Sequence, residues 1–318
     1  MVSLHSRALS RTPMVSESRA HRLLSTSHGT NREAFTPRDW GLFLSLVLIW
    51  GASFLFMAIG LDHFTPGLVS LLRVAFGAGT LALVPRARRS SIERADWPRV
   101  IALAVLWIAL PQIFFPLAQQ WISSAAAGML NGAMPIFTAV VSTALLRELP
   151  GQRQTLGLLV GFAGIAAISL PSAEGGGTAL VGVVLVLAAT VCYAFSTNIV
   201  APLQQKYGSI PVIARVQWAA TAFVLPYGLV GVGGSEFAVS SLLATLAVGV
   251  LGTGLAFVLM STLTGRVGAT RASFITYCIP VVALVLGAVF RGDAVHPLAV
   301  GGIALVTIGA LLASRREA

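Results

Sequence analysis

Apolar residues run in blocks of about 20 along most of the chain, separated by short polar breaks, and within the blocks apolar and polar positions do not alternate. A helix of that length crosses a hydrocarbon layer roughly 30 Å thick. Ten blocks are drawn: Trp40–Leu61, Pro66–Val84, Arg99–Gln119, Ser124–Leu146, Gln152–Leu170, Thr178–Ile199, Pro211–Val232, Ser240–Leu263, Ala269–Phe290 and Val295–Ala313. The missing period-two pattern fits helices and excludes an outer-membrane barrel. The pattern therefore predicts an all-α integral membrane protein with ten transmembrane helices.

Composition agrees. Hydrophobic residues make up 56% of the 318 and charged residues only 10%, too little polar surface for a soluble domain of this size. The net charge of +10 raises the possibility of a nucleic-acid partner, but the placement of the cations argues for a bilayer instead. With the N-terminus inside, inner segments and their flanks hold Arg7 to Arg38, Arg86, Arg88, Arg89, Arg94, Arg99, Arg147, Arg153, Lys206, Arg266, Arg271, Arg315 and Arg316, whereas outer loops hold Arg291. That asymmetry predicts a multi-pass protein of the cell inner or plasma membrane with both termini cytoplasmic. Residues 1–39, rich in Ser and Arg and without an apolar core, do not make a secretory signal. They resemble a transit peptide in composition alone, and are read as a disordered cytoplasmic tail or as the product of a start placed upstream of Met14. Cys192 and Cys278 lie inside apolar runs without metal-type spacing, which predicts two reduced, buried thiols.

The chain also repeats itself. A constant offset of 145 residues pairs Pro66 with Pro211, Ala102 with Ala247, Pro135 with Pro280, Glu148 with Asp293, Gly157 with Gly302 and Gly164 with Gly309. One offset spanning several helices points to duplication. The expected units are a first repeat over 40–171 and a second over 178–313, with 314–318 as a cytoplasmic C-terminus. Because each copy holds an odd number of helices, the second crosses in the opposite sense to the first, a plan common among secondary transporters.

The motifs "WGASF" from Trp50 to Phe54, Pro66 with Arg73, and Pro135, Glu148, Gln154 and Gly157 resemble the EamA family of the drug/metabolite transporter superfamily over about residues 40–313. That resemblance implies two five-helix repeats and movement of a small metabolite, often outward. The second copy departs from the pattern, with Trp218 in the place of Arg73 and Asp293 in the place of Glu148.

Proline inside a helix lacks a donor and crowds the carbonyl four residues earlier, so Pro135 and Pro280 should leave the carbonyls of Asn131 and Thr276 partly free near the midplane. Gly128, Asn131, Pro135, Thr138 and Ser142 share one small, polar helix face. The offset pairs them with Ser273, Thr276, Pro280, Ala283 and Gly287. Each stripe is open to two readings, a packing seam or a cavity wall. Trp50, Phe54, Trp107, Phe114, Phe115, Phe195, Phe257 and Tyr277 could complete such a wall, and Trp107 and Tyr277 are too deep for an interfacial belt. Pro111 and Pro116, with Gln112 and Gln119 beside them, mark the third helix as kinked, and its counterpart carries Gly252 and Gly254.

Arg73 lies inside the second helix, where a guanidinium is costly. Binding a substrate carboxylate and pairing with backbone or snorkelling outward both remain open. Arg215, near a helix end, reads as a snorkelling anchor, and Glu148 and Asp293 as acids meeting the positive ends of the helices that follow. No carboxylate or histidine falls at mid-span to carry protons. HExxH, GxSxG, P-loop and metal-ligand patterns are missing, so no cofactor or metal is expected. The expected site comprises Trp50, Phe54, Arg73, Trp107, Gln112, Asn131, Pro135, Thr276, Tyr277 and Pro280. The expected partners are a small-molecule substrate and the lipid bilayer. The reading is a secondary transporter, exporting by the resemblance, of an amino acid or related compound by alternating access; a membrane-embedded enzyme or a non-transporting scaffold is the alternative.

Overall fold

The computed structural model describes residues 26–88, 90–122, 124–169, 179–291 and 297–314, and the regular elements among them are all helical. Helix α1 (Pro37–Leu61) begins three residues before Trp40 because Thr36 caps it: its hydroxyl accepts from the Asp39 amide while the Asp39 carboxylate accepts from the Thr36 amide, and Pro37 follows at the first position. The same chemistry starts α2 (Pro66–Ala82), where the Thr65 hydroxyl accepts from the Leu68 amide. Helix α3 runs as Trp97–Leu103, a π-helical segment Ala104–Ala109, and Leu110–Ala118. Helix α4 runs as Ser124–Leu130, a 3₁₀ turn Asn131–Ala133, and Met134–Leu146. Next come α5 (Gln152–Ser169), α6 (Ala179–Tyr207) and α7 (Ser209–Val232). Helix α8 consists of Val239–Ala247, a π-helical segment Val248–Leu255 and Ala256–Val267. Helix α9 is Ala269–Ser273 followed by Ile275–Arg291, and α10 is Pro297–Ser314.

Helices α1, α3, α6, α7, α8 and α9 are each long and apolar enough to cross a membrane. Leu48, Leu159, Val230 and Val289 stand exposed on the outside, as expected of a lipid-facing surface. The protein is a multi-pass membrane protein.

Hydrogen bonds between helix ends give the relative directions of several helices. At one face, Arg266 near the end of α8 pairs with Asp39 at the start of α1, and Arg271 in α9 donates to the Asn31 and Glu33 carbonyls. Lys206 at the end of α6 reaches Glu93 and Asp96 ahead of α3. At the opposite face, the Thr65 hydroxyl before α2 donates to the Gly231 carbonyl in α7, and Ser241 in α8 donates to the Ile59 carbonyl of α1. Thus α1 starts at the face where α6 ends, and α2 lies antiparallel on α7. Glycines permit that contact: a Cβ on Gly67 would lie 2.6 Å from the Tyr227 carbonyl oxygen, and one on Gly228 would lie 2.3 Å from Leu71 Cβ. The packing repeats between halves, since α1 lies on α8 and α9 as α6 lies on α3 and α4. The π-helical segments repeat too: Ala104–Ala109, shifted by the sequence offset, falls inside Val248–Leu255.

Residues 26–36, placed in the tail by the sequence, lie across the first of these faces. The Thr30 and Asn31 amides donate to the Gly265 and Arg266 carbonyls, Gln205 donates to the His28 carbonyl, and His28 Nε2 lies 3.5 Å from Glu148 Oε2. Gly29 is pressed so closely on Gly268 that a Cβ would sit 2.4 Å from the Gly268 amide nitrogen. Residues 1–25 lie outside the described residues, as do Arg89 and Asp293.

Arg215 differs from the expected snorkelling anchor. Its guanidinium donates to the carbonyls of Ala87, Ser90 and Pro211, tying the connection after α2 to α7. Trp218 is exposed while Arg73 is buried, so these offset-paired positions face different surroundings.

Candidate functional site

A cavity lies between the halves, walled by α1, α2, α3, α4, α6, α8 and α9. Its lining includes Trp50, Phe54, Arg73, Trp107, Gln112, Asn131 and Thr276, which brings together seven of the ten residues expected from sequence. Ser53, Met57, Phe115, Met134, Tyr193 and Phe257 complete it. The walls are mostly apolar with a few polar groups, the usual make-up of a small-molecule site.

Two aromatic series build the walls. Phe257 of α8 packs edge-on against Trp50 of α1 and Trp107 of α3, with centroids 5.5 and 5.1 Å apart. Phe115 of α3 packs edge-on against Phe54 at 5.7 Å and stacks on Tyr193 of α6 at 5.9 Å. The Trp50 indole donates to the Gly252 carbonyl at 2.9 Å, so the π-helical segment of α8 supplies the partner a buried indole needs.

Arg73 is 6% exposed and faces this cavity. Its Nε donates to Thr253 Oγ1 at 3.4 Å and an Nη lies 3.3 Å from the Met57 sulfur. Neither partner is charged, and among the described residues no carboxylate forms an ion pair with Arg73. The sequence left a substrate carboxylate, a backbone carbonyl and outward snorkelling open for Arg73, and the hydroxyl and thioether it has are weaker partners than a carboxylate or a carbonyl.

Gln112 is 1% exposed; its amide nitrogen is 3.5 Å from the Tyr193 hydroxyl, and its side-chain oxygen has no partner. Asn131 Oδ1 is likewise buried without a partner. The Asn131 backbone carbonyl, expected to be freed by Pro135, instead accepts from the Met134 amide. Pro135 sits at the start of Met134–Leu146, where its missing donor is not needed, and the 3₁₀ turn before it absorbs the carbonyl.

Pro135, Tyr277 and Pro280 are outside the lining. Tyr277 is buried on the other side of α9, where its hydroxyl donates to the Leu158 carbonyl at 2.9 Å and its ring fills the space over Gly161. Phe114 and Phe195 also lie off the lining. The α4 stripe serves both open readings at different depths. Asn131 faces the cavity, whereas Ser142 donates to Asn198 Oδ1 at 2.7 Å and the Asn198 amide donates to the Thr138 carbonyl, forming a seam with α6. Tyr193, Met57 and Met134 carry no sequence signal that separates them from the surrounding apolar positions. Cys192 and Cys278 are unpaired and half-buried. Among the described residues no group of His, Cys, Asp or Glu could hold a metal.

The model of the EamA-like transporter family matches residues 40–170 and again 180–315. A protein of Archaeoglobus fulgidus named "Uncharacterized transporter" is 26% identical over 88% of this chain and 100% of its own length. A Streptantibioticus cattleyicolor protein named "Probable terminal-alkyne amino-acid exporter" is 28% identical over 87% of this chain and 93% of its own. A Salmonella typhimurium protein named "Probable amino-acid metabolite efflux pump" is 25% identical over 86% and 93%. One crystal structure superposes with a TM-score of 0.72 at 20% identity, covering 86% of this chain and 96% of that one, which shows a shared fold.

Proposed function

The chain belongs to the EamA-like transporter family, a transporter and not an enzyme, and on that footing we propose that it exports a small, carboxylate-bearing organic metabolite, an amino acid or related compound, by alternating access. The observation that carries this reading is Arg73, a buried guanidinium facing the cavity without an anionic partner among the described residues. Leaving such a charge unpaired is costly, and a substrate carboxylate answers that cost. The relatives named as exporters of amino acids or their metabolites support both the class and the direction.

The proposed architecture is ten transmembrane helices in two inverted five-helix repeats, in the inner membrane with both termini cytoplasmic. The opposite courses of α1 and α6 and the antiparallel contact of α2 with α7 support it. In this reading Trp50, Phe54, Arg73, Trp107, Gln112, Asn131 and Thr276 contact the substrate. Opening toward the face that carries the start of α1 has to separate α4 from α6 at Ser142 and Asn198, and to release residues 26–36 from α8 and α9.

Proteoliposomes loaded with pooled amino acids and other small metabolites test this. The expected result is protein-dependent, saturable loss of one or a few carboxylate-bearing compounds without chemical change. Retention of every compound, or loss of an organic cation alone, contradicts it.

A further inference from the structure

Nine buried side-chain nitrogen or oxygen atoms among the described residues lack a hydrogen-bond partner, and two of them, Gln112 Oε1 and Asn131 Oδ1, belong to residues lining the cavity. Each side chain is more than nine-tenths buried. An amide oxygen accepts and does not donate, so both ask for a donor from whatever fills the space. Arg73, on the same cavity, asks for the opposite, an anion.

These three groups share one depth. Arg73 lies seven residues from Pro66 at the start of α2, Gln112 six residues from Ala118 at the end of α3, and Asn131 seven residues from Ser124 at the start of α4. At about 1.5 Å per residue, each is roughly 10 Å from the same face. Helices α2 and α3 touch there, since the Ser70 hydroxyl donates to the Gln112 carbonyl at 2.8 Å, one turn from Arg73. Below and around them the walls are aromatic rings and the thioethers of Met57 and Met134.

We propose that this cavity reads both poles of a zwitterion: Arg73 holds the carboxylate, Gln112 Oε1 and Asn131 Oδ1 accept from a free ammonium group, and the aromatic and methionine walls take an apolar side chain. The inference rests on the transport reading above and deepens it from a carboxylate-bearing compound to an unsubstituted amino acid with an apolar side chain. A carboxylic acid lacking the amine leaves two buried oxygens unpaired, and sites built around a substrate donor discriminate strongly against analogues without it. A cation lacking the carboxylate meets the unpaired charge of Arg73.

The test uses the full chain, with L-leucine and L-phenylalanine, the deaminated acids of the same skeletons, and the N-acetylated forms as probes. Efflux from proteoliposomes is measured beside quenching of tryptophan fluorescence in detergent, since Trp50 and Trp107 line the cavity. Wild-type protein is expected to prefer the free amino acids at least about tenfold in both assays. In Gln112→Met with Asn131→Leu that preference falls toward one. Equal handling of amino acids and deaminated acids by the wild type overturns the inference and leaves carboxylate transport standing. Preference retained in the double variant also overturns it. Quenching with the expected preference but without efflux supports the inference and removes the transport reading; the absence of both quenching and efflux with these probes overturns the inference. Should the double variant fail to fold, Gln112→Met alone serves: it removes one of the two acceptors and is expected to lower the preference for the amino acids, and an unchanged preference counts against the assignment.

Discussion

The indole nitrogen of Trp50 on α1 donates to the carbonyl oxygen of Gly252 on α8, 2.9 Å away across the boundary between the two halves. Gly252 belongs to the π-helical segment of α8, and the sequence offset pairs it with Trp107 in the π-helical segment of α3. A π-helical segment departs from the i to i−4 ladder and alters which carbonyls face a neighbour, and such segments recur at functional sites. Corresponding irregularities of both halves thus serve one cavity: Trp107 of the α3 segment lines it, and Gly252 of the α8 segment accepts from Trp50, which also lines it.

Trp50→Phe preserves the ring packing against Phe257 and deletes this donor. It is expected to cost about 1 kcal/mol of stability. Thermal unfolding in detergent checks this, and an unchanged midpoint would show that the hydrogen bond contributes nothing measurable.

The fit of α5 on α9 can be tested at Gly161. A Cβ there would lie 2.2 Å from Tyr277 Cε2, and the ring is held by its hydroxyl on the Leu158 carbonyl. Gly161→Ala should overpack this contact and destabilise by about 1–3 kcal/mol. A midpoint equal to wild type would mean that the ring swings away without cost.

Asp39 is fully buried and accepts from Thr36, Asn31 and Arg266. Arg266→Ala leaves a buried carboxylate without its cation and is expected to lose at least about 2 kcal/mol. Asp39→Asn with Arg266→Ala should recover part of that loss, so a double-mutant cycle showing no coupling would contradict the pairing.

The docking of residues 26–36 has a local test as well. Gly29→Ala places a methyl against the backbone of Gly268 and Val267, which cannot yield as a flexible side chain does. The substitution should detach this segment from α8 and α9. Limited proteolysis is expected to cut it faster in the variant, and equal cleavage rates would show that the close approach is not needed.

The apolar runs place the helices well because a membrane helix must be apolar over its whole length, whatever packs on it. Boundaries moved where local chemistry differs from hydropathy: Thr36 and Asp39 start α1 before the apolar run begins, and α6 continues through Gln204, Gln205 and Lys206 to Tyr207. Arg73, Gln112 and Asn131 were legible because a polar group inside an apolar run is conspicuous. Tyr277 was not correctly placed, since depth along α9 does not reveal that its ring points to α5. Tyr193 was missed for a related reason: its position in the long run of α6 does not reveal where its ring points, and only packing turns it toward Gln112 and Phe115. The prolines at 135 and 280 were legible as irregularities, but the 3₁₀ turn at Asn131–Ala133 uses the carbonyl that Pro135 was expected to release.

In the proposed transport cycle Arg73 holds the substrate carboxylate. Counterflow in proteoliposomes tests it most directly: vesicles preloaded with an unlabelled amino acid exchange it for a labelled one outside, and wild-type protein is compared with Arg73→Gln and Arg73→Lys at matched reconstitution. Saturable exchange by the wild type is expected, with a loss of at least about tenfold in Arg73→Gln and partial recovery in Arg73→Lys, which keeps the charge without the planar fork. Equal exchange by wild type and Arg73→Gln would contradict it and make Arg73 a structural residue.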